Sequence, residues 1–527
     1  MKKIIITIGI LLIGMIGMAY LYFSKLKQST NANDLSLNAI SANAGIIYSF
    51  DHDKSFYEIL SGQDLLQHLL GKTKSGQLKS IKDYLLNKPE LVDLLDGQKI
   101  YIGFIPGLVD KIDFLICTQT KQNVNLRQLL TSSNLTAFKA TPIKEYFKIT
   151  FVDSSSIYVG VKDKLIAISN TTEQVQKVLS NSTNKASDFS QYIKANTGYN
   201  KNNLANLYLN FDAIPKFLKN ILSNNGGGEL SVLNQKNSYA TLNYNFSTEK
   251  LLFNGTTQLA TTNSYFKLFT DLPDQKIVID DVLPQKTANY TAYAISNFTN
   301  WYVDLLKWLN EQKGNERILK TGENISKKYG LDLQKIFPTY FKNQFITFQL
   351  STGEKFGGIA LSNGDKVGQL LLDLSAEYAP DIKVFREANI PYIYFGEPFK
   401  KFEKPYYTII DNYLVMANYA SSIEVFLNSY RNNDLLIHDE GYQHFNDQLS
   451  SATISFYVNN KNSNLIFGRN LKQPYYKQYQ ANDGFGMFEA FSYQLSGDKG
   501  KFLSNVLLSK KVVLAEKTDS IALVTKD

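Results

Sequence analysis

Six landmarks recur in this chain of 527 residues, always in the same order and always 245 to 249 residues apart. A repeat of this kind constrains the fold more than a single motif does, because both copies should build the same elements. The landmarks are Phe56-Tyr57 with Trp301-Tyr302, Gln98 with Gln344, Leu165 with Leu414, Leu207–Asn210 with Phe456–Asn459, Leu242–Ser247 with Phe491–Ser496, and Phe253 with Phe502. The series predicts one unit used twice, over residues 44–262 and 287–510, with a connector over residues 263–286.

Each predicted unit combines short strands with helices between them. The clearest element is the hairpin at the end of the first unit, where Tyr, Leu and Phe alternate with polar residues over 239–247 and 251–258. Strict alternation is typical of half-buried strands. Because antiparallel hairpins dominate, the sequence predicts an α+β fold: two tandem copies of a mostly antiparallel sheet-plus-helices unit, preceded by one N-terminal transmembrane helix.

The N-terminal segment is an apolar run from Ile4 to Phe23 that carries no formal charge. A helix of this length rises about 30 Å, which matches the hydrocarbon core of a bilayer. We therefore expect a signal anchor or transmembrane segment over residues 1–27, with contact to the lipid bilayer through residues 4–23. The rest of the chain is then exported to the periplasm or beyond.

A cleaved signal peptide is the alternative for the same segment. Gly17 and Ala19 place small residues before a cleavage point near Ala19, and the protein would then be secreted. Tyr20, Tyr22 and Phe23 favour retention, because aromatic residues are enriched at membrane interfaces.

Two flanking segments complete the predicted domain organisation. Residues 28–43 are polar and rich in Ser and Asn, which predicts a tether. Residues 511–527 are predicted to form a C-terminal tail or an edge strand.

Composition argues against a fold held together by disulfides and against a nucleic-acid-binding protein. Cys117 is the only cysteine, so no intramolecular disulfide can form. The formal charge of +8 is spread along the chain among Asp and Glu rather than concentrated on one basic face. Nucleic-acid binding needs such a face, so we expect no nucleic-acid partner.

The densest cluster of metal-ligating residue types is His438-Asp439-Glu440 with His444. A structural zinc site uses about four N or S ligands and a catalytic one about three with water. The two histidines are six residues apart, which would place them on different faces of a helix. We therefore expect a solvated loop and no metal or cofactor.

Three other segments invite a catalytic interpretation and have a simpler one. His52 lies between Asp51 and Asp53, where Asp is favoured as a helix N-cap. Cys117 follows Phe114-Leu115-Ile116, so it should be a small buried apolar side chain. The glycine-rich residues 224–229 lack the Lys-Ser/Thr of a phosphate loop and are predicted to be a flexible loop.

Two groups of aromatic residues could mark a contact surface. They are Pro405-Tyr406-Tyr407 with Phe399 and Phe402, and Pro474-Tyr475-Tyr476 with Tyr479. Tyrosine suits such surfaces because it has an apolar ring and a polar tip. β-Rich proteins also place Tyr and Phe on half-buried strand faces, and we favour that interpretation.

The N-terminal anchor, the strand–helix order that begins at Ile46, and the Leu94–Ile102 segment with its counterpart Thr339–Thr347 resemble one bacterial family. Its members are single-span, exported proteins known only as a domain of unknown function. The resemblance spans most of residues 44–510. It implies a bacterial envelope location and supplies no catalytic residue for this chain.

Two classes of function follow from the sequence. The first is a non-enzymatic envelope protein that binds or scaffolds an envelope protein, a lipid or a glycan, with a cleft between the copies as the expected site. The second is an envelope hydrolase acting on glycan or peptide, which would need convergent polar groups in a pocket. No catalytic residues can be named from the sequence.

Overall fold

The computed structural model describes residues 34–511 apart from a set of gaps. The gaps are residues 53–71, 88, 109, 132–137, 181–185, 198–203, 224–229, 234, 246, 260–262 and 482–483. Residues 34–259 are called the first half below, and residues 263–511 the second half.

Twenty strands in these residues form one sheet. Those of the first half are β1 Ile46–Asp51, β2 Lys99–Pro106, β3 Ile112–Gln119, β4 Phe138–Ile143, β5 Tyr146–Phe151, β6 Ser156–Lys162, β7 Leu165–Ser169, β8 Asn206–Asn210, β9 Ser238–Asn245 and β10 Lys250–Leu259. Those of the second half are β11 Thr287–Ala294, β12 Phe341–Leu350, β13 Lys355–Leu361, β14 Ser375–Ala379, β15 Ile382–Phe385, β16 Tyr406–Ile410, β17 Tyr413–Ala417, β18 Ile454–Asn459, β19 Phe488–Asp498 and β20 Lys501–Lys510.

The pairings of these strands are antiparallel throughout. Across the sheet, the first half runs β4-β5-β6-β7-β3-β2-β1-β8-β9-β10. The sheet continues through a β10–β20 pair into β20-β19-β18-β11-β12-β13-β17-β16-β15-β14. Both halves therefore have one strand order, and they meet at the centre of the sheet with β4 and β14 at its outer edges.

The centre of the sheet lies on an approximate twofold axis. Gly255 of β10 is opposite Ser504 of β20, and an isolated bridge joins Leu222 to Leu471; both pairs are 249 residues apart. A Cβ at Gly255 would lie 2.0 Å from the carbonyl oxygen of Thr241 in β9. The close approach of β9 and β10 therefore requires glycine at this position.

Helices cover both faces of the sheet. In the first half they are α1 Leu35–Ser41, α2 Lys72–Ile81, α3 Pro89–Leu95, α4 Leu126–Thr131, α5 Thr172–Ser180, α6 Asp188–Thr197 and α7 Ile214–Ile221, with a π-helix at Lys82–Leu86. In the second half they are α8 Phe298–Glu311, α9 Glu316–Tyr329, α10 Leu333–Tyr340, α11 Gly364–Leu370, α12 Ile390–Phe395, α13 Ala420–Arg431, α14 Glu440–Asn446, α15 Asn464–Asn470 and α16 Gln473–Gln480. Short 3₁₀ helices lie at Phe211–Ala213, Ser231–Leu233, Tyr265–Phe269, Ile279–Val282, Glu397–Phe399, Leu436–His438 and Phe485–Met487.

Side-chain caps fix where several helices begin and end. Asn297, Asp332 and Asn363 each accept a hydrogen bond from a backbone N–H in the first turn of the helix that follows. These caps satisfy donors that have no partner within the helix. Gly330 ends α9 in the left-handed conformation, with a φ of 66°.

The two faces of the sheet have different cores. On one face, a single apolar cluster extends through both halves and includes Ile168, Leu242, Phe502 and Leu414. We call this the shared face. On the opposite face, which we call the divided face, the first half and the second half have separate clusters. The shared face therefore joins the halves through packing as well as through strand pairing.

The fold class predicted from the sequence is wrong. The strands form one continuous 20-stranded sheet rather than two tandem copies, because β10 pairs with β20 over Lys250–Thr257. An unpaired edge strand exposes a row of backbone N–H and C=O groups, and the β10–β20 pairing satisfies them for both halves at once. The repeated strand order is a property of this single sheet.

The predicted transmembrane helix and signal anchor are not supported either. Among the helices that the structure describes, none is both long and apolar enough to cross a membrane. The segment to which the prediction refers, residues 4–23, lies outside the described residues.

Part of the segment predicted to be a polar tether is helical. Helix α1 buries Leu37 and Ile40 on the divided face of the sheet. Asp34 caps it by accepting a hydrogen bond from Leu37 N, and it also accepts one from the Tyr101 hydroxyl at 2.7 Å. Residues 35–41 of the predicted tether therefore pack against the sheet.

Candidate binding cavity

A cavity of about 710 Å³ opens at the outer end of the shared face in the first half. It lies between the β4–β5 hairpin and the loop that leads into α4. Its described lining is Asn123, Val124, Asn125, Leu126, Arg127, Pro142, Lys144, Glu145, Phe147 and Val161. A volume of this size falls within the roughly 300–1,000 Å³ that small-molecule sites occupy.

The β4–β5 hairpin supplies two of the charged side chains. Ile143 pairs with Tyr146, so Lys144 and Glu145 form a two-residue turn. Such turns need a positive φ, and Lys144 adopts a φ of 51°. This conformation is uncommon for a residue with a side chain. Both turn residues line the cavity.

The loop before α4 forms the opposite wall. Its backbone is held by hydrogen bonds from Lys121 N to the Leu94 carbonyl at 3.0 Å and from Val124 N to the Asp163 carbonyl at 3.4 Å. Asn125 accepts a hydrogen bond from Gln128 N at 3.3 Å, which caps the first turn of α4. This anchoring places Asn123, Asn125 and Arg127 along the cavity.

The floor of the cavity is apolar. Val124, Leu126 and Val161 also line a second, much smaller cavity beneath it, of about 10 Å³. The remaining lining of the smaller cavity is Leu86, Leu91, Leu130, Val159, Ile166 and Ile168. The site therefore combines a polar, charged rim with a floor of aliphatic side chains.

The charges of the described lining suit binding better than hydrolysis. Arg127 and Lys144 are cationic, Glu145 is the single carboxylate, and Asn123 and Asn125 add amide groups. A glycosidase uses two carboxylates on opposite sides of the scissile bond. One carboxylate beside two cations can attract and orient an anionic group instead.

The second half has a buried insertion between two of its outer strands. Residues 152–155 connect β5 to β6, whereas residues 386–405 make the equivalent connection from β15 to β16. The insertion contains α12 and the 3₁₀ helix Glu397–Phe399. We call residues 390–402 the aromatic plug; its buried side chains are Ile390, Tyr392, Ile393, Tyr394, Phe395, Phe399 and Phe402.

The aromatic plug packs into the shared face through ring contacts. The Phe395 ring lies 5.5 Å from Phe298, 5.5 Å from Phe341 and 5.4 Å from Phe345, measured between ring centroids. Gly357 of β13 gives the plug room, since a Cβ there would lie 2.5 Å from the Phe399 ring.

The plug also contacts Tyr265, near the start of the second half. The Tyr265 hydroxyl donates a hydrogen bond to the Phe395 carbonyl at 2.6 Å. Gly396 follows with a φ of 77°, and a Cβ there would lie 2.4 Å from the Tyr265 ring. One scaffold thus carries a cavity in the first half and a filled aromatic core in the second.

The histidine-rich cluster of the sequence does not form a metal site. Among the described residues, no group of three or more His, Cys, Asp or Glu side chains could hold a metal ion. Asp439 caps α14 by accepting a hydrogen bond from Tyr442 N at 2.9 Å. His438 Nδ1 lies 3.1 Å from the Asn433 carbonyl oxygen.

Glu489 lies beside this cap and completes a pair of carboxylates with Asp439. A Cβ at Gly441 would lie 2.9 Å from Glu489 Oε1 and 3.2 Å from Asp439 Oδ1. Burial raises the pKa of Glu489, and the charge of Asp439 raises it further, while Lys511, Lys461 and His444 oppose the increase. Asp439 is engaged in capping, so the pair has a structural explanation.

The other candidates of the sequence lie apart from the cavity. Cys117 is fully buried on the divided face, and burial raises the pKa of its thiol. His52 is buried, and its backbone N–H donates to the Gln98 carbonyl at 2.8 Å. Asp51 ends β1 and lies 3.7 Å from the Lys99 ammonium. Asp53 and residues 224–229 lie outside the described residues.

The first aromatic group belongs to the core rather than to a contact surface. Phe399, Phe402 and Tyr407 are buried on the shared face. The second group lies on α16, none of whose residues is buried. There the Tyr475 hydroxyl donates to the Asp110 carbonyl at 3.0 Å, which links α16 to the first half.

The divided face contains a buried acid that was not predicted from the sequence. Asp280 is 2% exposed, and it accepts a hydrogen bond from the Tyr442 hydroxyl at 2.5 Å. The Tyr442 hydroxyl lies 3.1 Å from that of Tyr290. Burial raises the pKa of Asp280 to about 6, although the bond from Tyr442 lowers it. Asp280 follows the apolar run Ile277-Val278-Ile279, and this run was the sequence feature that could have indicated its burial.

The cavity was missed as well, because its residues come from segments without a recognisable motif. We expected a site between the two copies, whereas this cavity lies at the outer end of one half. No protein-family model, no curated protein and no solved structure matches the chain. The resemblance to a bacterial family of exported proteins therefore stays a prediction.

Proposed function

We propose that the chain is an exported, non-enzymatic binding protein, and that the cavity of the first half is its ligand site. The observation that carries this proposal is the composition of the lining: two cations, two amides and one carboxylate above an aliphatic floor. Such a lining offers oriented polar contacts and apolar area to a small ligand.

The ligand site is tested by filling the cavity. Val161→Phe places a ring on the floor, and Val152→Phe is the matched control because Val152 is 80% exposed in the β5–β6 turn. Both proteins and the wild type are equilibrated with an extract of bacterial envelopes and analysed by native mass spectrometry. We expect bound small molecules in the wild type and in Val152→Phe, and their loss in Val161→Phe.

Two results would contradict the proposed site. The first is equal ligand occupancy in Val161→Phe and in the wild type. The second is turnover of a glycan or peptide substrate that Glu145→Gln abolishes, which would favour the hydrolase alternative.

Export is tested separately, with the full chain and with a variant that lacks residues 1–33. We expect the full chain in the exported fraction and the shortened chain in the cytosol. Mass determination of the exported protein then shows whether cleavage occurs near Ala19. Recovery of the full chain from the cytosol would overturn the proposed location.

A further inference from the structure

We infer that the cavity binds an amphiphile with one anionic head group and one aliphatic chain. This inference rests on the proposed function and adds the chemical class of the ligand. The distribution of charged and apolar side chains around the cavity indicates this class of ligand.

The head group is indicated by the polar rim. Among the described lining residues, the cationic side chains Arg127 and Lys144 outnumber the anionic ones, which are limited to Glu145. Asn123 and Asn125 add hydrogen-bond donors on the same side as Arg127. A carboxylate or a phosphate monoester therefore matches the rim better than a cation or a neutral sugar.

The aliphatic chain is indicated by the floor. Val124, Leu126 and Val161 belong to the lining of both cavities, so these aliphatic side chains form the wall between the larger cavity and the core. The aromatic content of the described lining is limited to Phe147. Sugar-binding sites present aromatic rings for stacking, whereas a branched aliphatic floor suits a hydrocarbon chain.

The sizes of the two cavities determine where the aliphatic chain of the ligand lies. The smaller cavity of about 10 Å³ cannot admit several methylene groups, whereas the larger one of about 710 Å³ can. The aliphatic chain therefore lies along Val124, Leu126 and Val161 within the larger cavity, and the head group contacts the Lys144–Glu145 turn and Arg127.

Isothermal titration of the full chain below micelle concentrations tests the ligand class. The probes are dodecanoate and dodecyl phosphate, with acetate and inorganic phosphate as head groups alone and dodecyl glucoside as a neutral amphiphile. We expect binding of the two anionic amphiphiles, no measurable binding of the head groups alone, and at least about fivefold weaker binding of the neutral amphiphile.

Two charge variants of the turn should change the affinity for dodecanoate in opposite directions. Lys144→Asn removes the ammonium and retains a residue that tolerates the positive φ, so the turn should persist. We expect about two- to fivefold weaker binding of dodecanoate, and about twofold tighter binding for Glu145→Gln. Lys499→Asn is the matched control, because Lys499 has a φ of 49° in the β19–β20 turn and is not part of the cavity lining. It should leave the affinity unchanged.

The possible failures separate the two proposals. If a soluble glycan or peptide binds and the amphiphiles do not, and Val161→Phe abolishes that binding, the amphiphile inference falls and the proposed function stands. Equal effects of Lys144→Asn and Lys499→Asn, or weaker binding in Glu145→Gln, also overturn the amphiphile inference. If Val161→Phe changes the binding of no ligand, both proposals fall.

Discussion

The two halves of the sheet have the same strand order but differ in what covers the shared face. In the second half, the aromatic plug packs against β12, β13 and α8 with rings such as Phe395 and Phe399. In the first half, a four-residue turn replaces the plug, and the cavity lies at the other end of β5, beside the Lys144–Glu145 turn.

The difference separates the parts of the fold that hold the molecule together from the part that is available for a ligand. The plug contributes large buried side chains to the core of the second half, which is a major source of stability. The exposed turn at 152–155 adds no such core, and the cavity of the first half is bordered by charged residues. An insertion of about sixteen extra residues between two strands therefore gives the second half its additional aromatic core.

The largest expected effect tests this comparison directly. Phe395→Ala should lower the free energy of unfolding by about 3–5 kcal/mol, because it leaves a void among packed rings. Phe147→Ala in the first half removes a half-buried ring at the cavity and should cost roughly 1 kcal/mol. Urea unfolding of both variants measures the difference. Equal costs would show that the plug is no better packed than the cavity wall.

The next prediction concerns Asp280, which lies on the divided face of the second half. Its pKa is about 6 in the folded protein and about 3.9 in an unfolded chain, so the folded state binds the proton more tightly. The contribution to stability is complete below about pH 3.9 and is lost as the pH rises through 6, on the order of 3 kcal/mol.

Asp280→Asn should therefore gain stability relative to the wild type as the pH rises from 4 to 8. Because other acids titrate in both proteins, the measured quantity is the difference between their unfolding free energies at each pH. A difference that does not change with pH would contradict the raised pKa.

A smaller effect is expected where the plug meets the sheet. Gly357→Ala places a methyl group 2.5 Å from the Phe399 ring and should cost about 1–3 kcal/mol through overpacking. Gly76→Ala in α2 is the control, because no atom lies within 4 Å of a Cβ at that position. Gly76→Ala should stabilise the protein by up to about 1 kcal/mol, since alanine favours helices. Thermal unfolding measures both variants, and equal changes in their Tm values would exclude tight packing at Gly357.

The smallest effect concerns a contact between the halves. The Lys472 ammonium lies 2.5 Å from Asp110 Oδ1 and 2.7 Å from the Lys219 carbonyl oxygen, both in the first half. Lys472→Met should cost about 0.5–1 kcal/mol, because the ion pair is partly exposed. Lys335→Met removes an exposed pair within the second half and should cost less. Unfolding in 1 M salt should reduce both costs.

Local patterns predicted much of the strand content but not the way in which the strands assemble. The alternation in β9 and β10 predicted their hairpin, and its register is now seen from Leu259 opposite Ser238 to Leu252 opposite Asn245. The pairing of β10 with β20 joins residues about 250 positions apart, and no local pattern encodes such a contact.

One matched landmark shows the limit of sequence spacing. Leu165 and Leu414 were paired by their positions, yet Leu165 faces the divided face and Leu414 the shared face. A shift of one residue in a strand moves a side chain to the other side of the sheet. Apolar residues occupy both sides here, so hydrophobicity alone could not set the register.

The candidate site was less predictable than the fold. Its charged residues, Arg127, Lys144 and Glu145, come from a short helix and a two-residue turn. None of these positions differs in the sequence from ordinary surface positions. Only the folded chain brings them over the aliphatic floor.

The central β10–β20 pair also has a consequence for biosynthesis. Strand β10 ends at Leu259, but its partner begins at Lys501. At about 5–20 residues per second, a ribosome needs roughly 10–50 s to make the intervening chain. During that interval the nascent first half presents an open edge on which another chain could add a strand. Correct folding thus depends on protecting that edge until β20 has been synthesised.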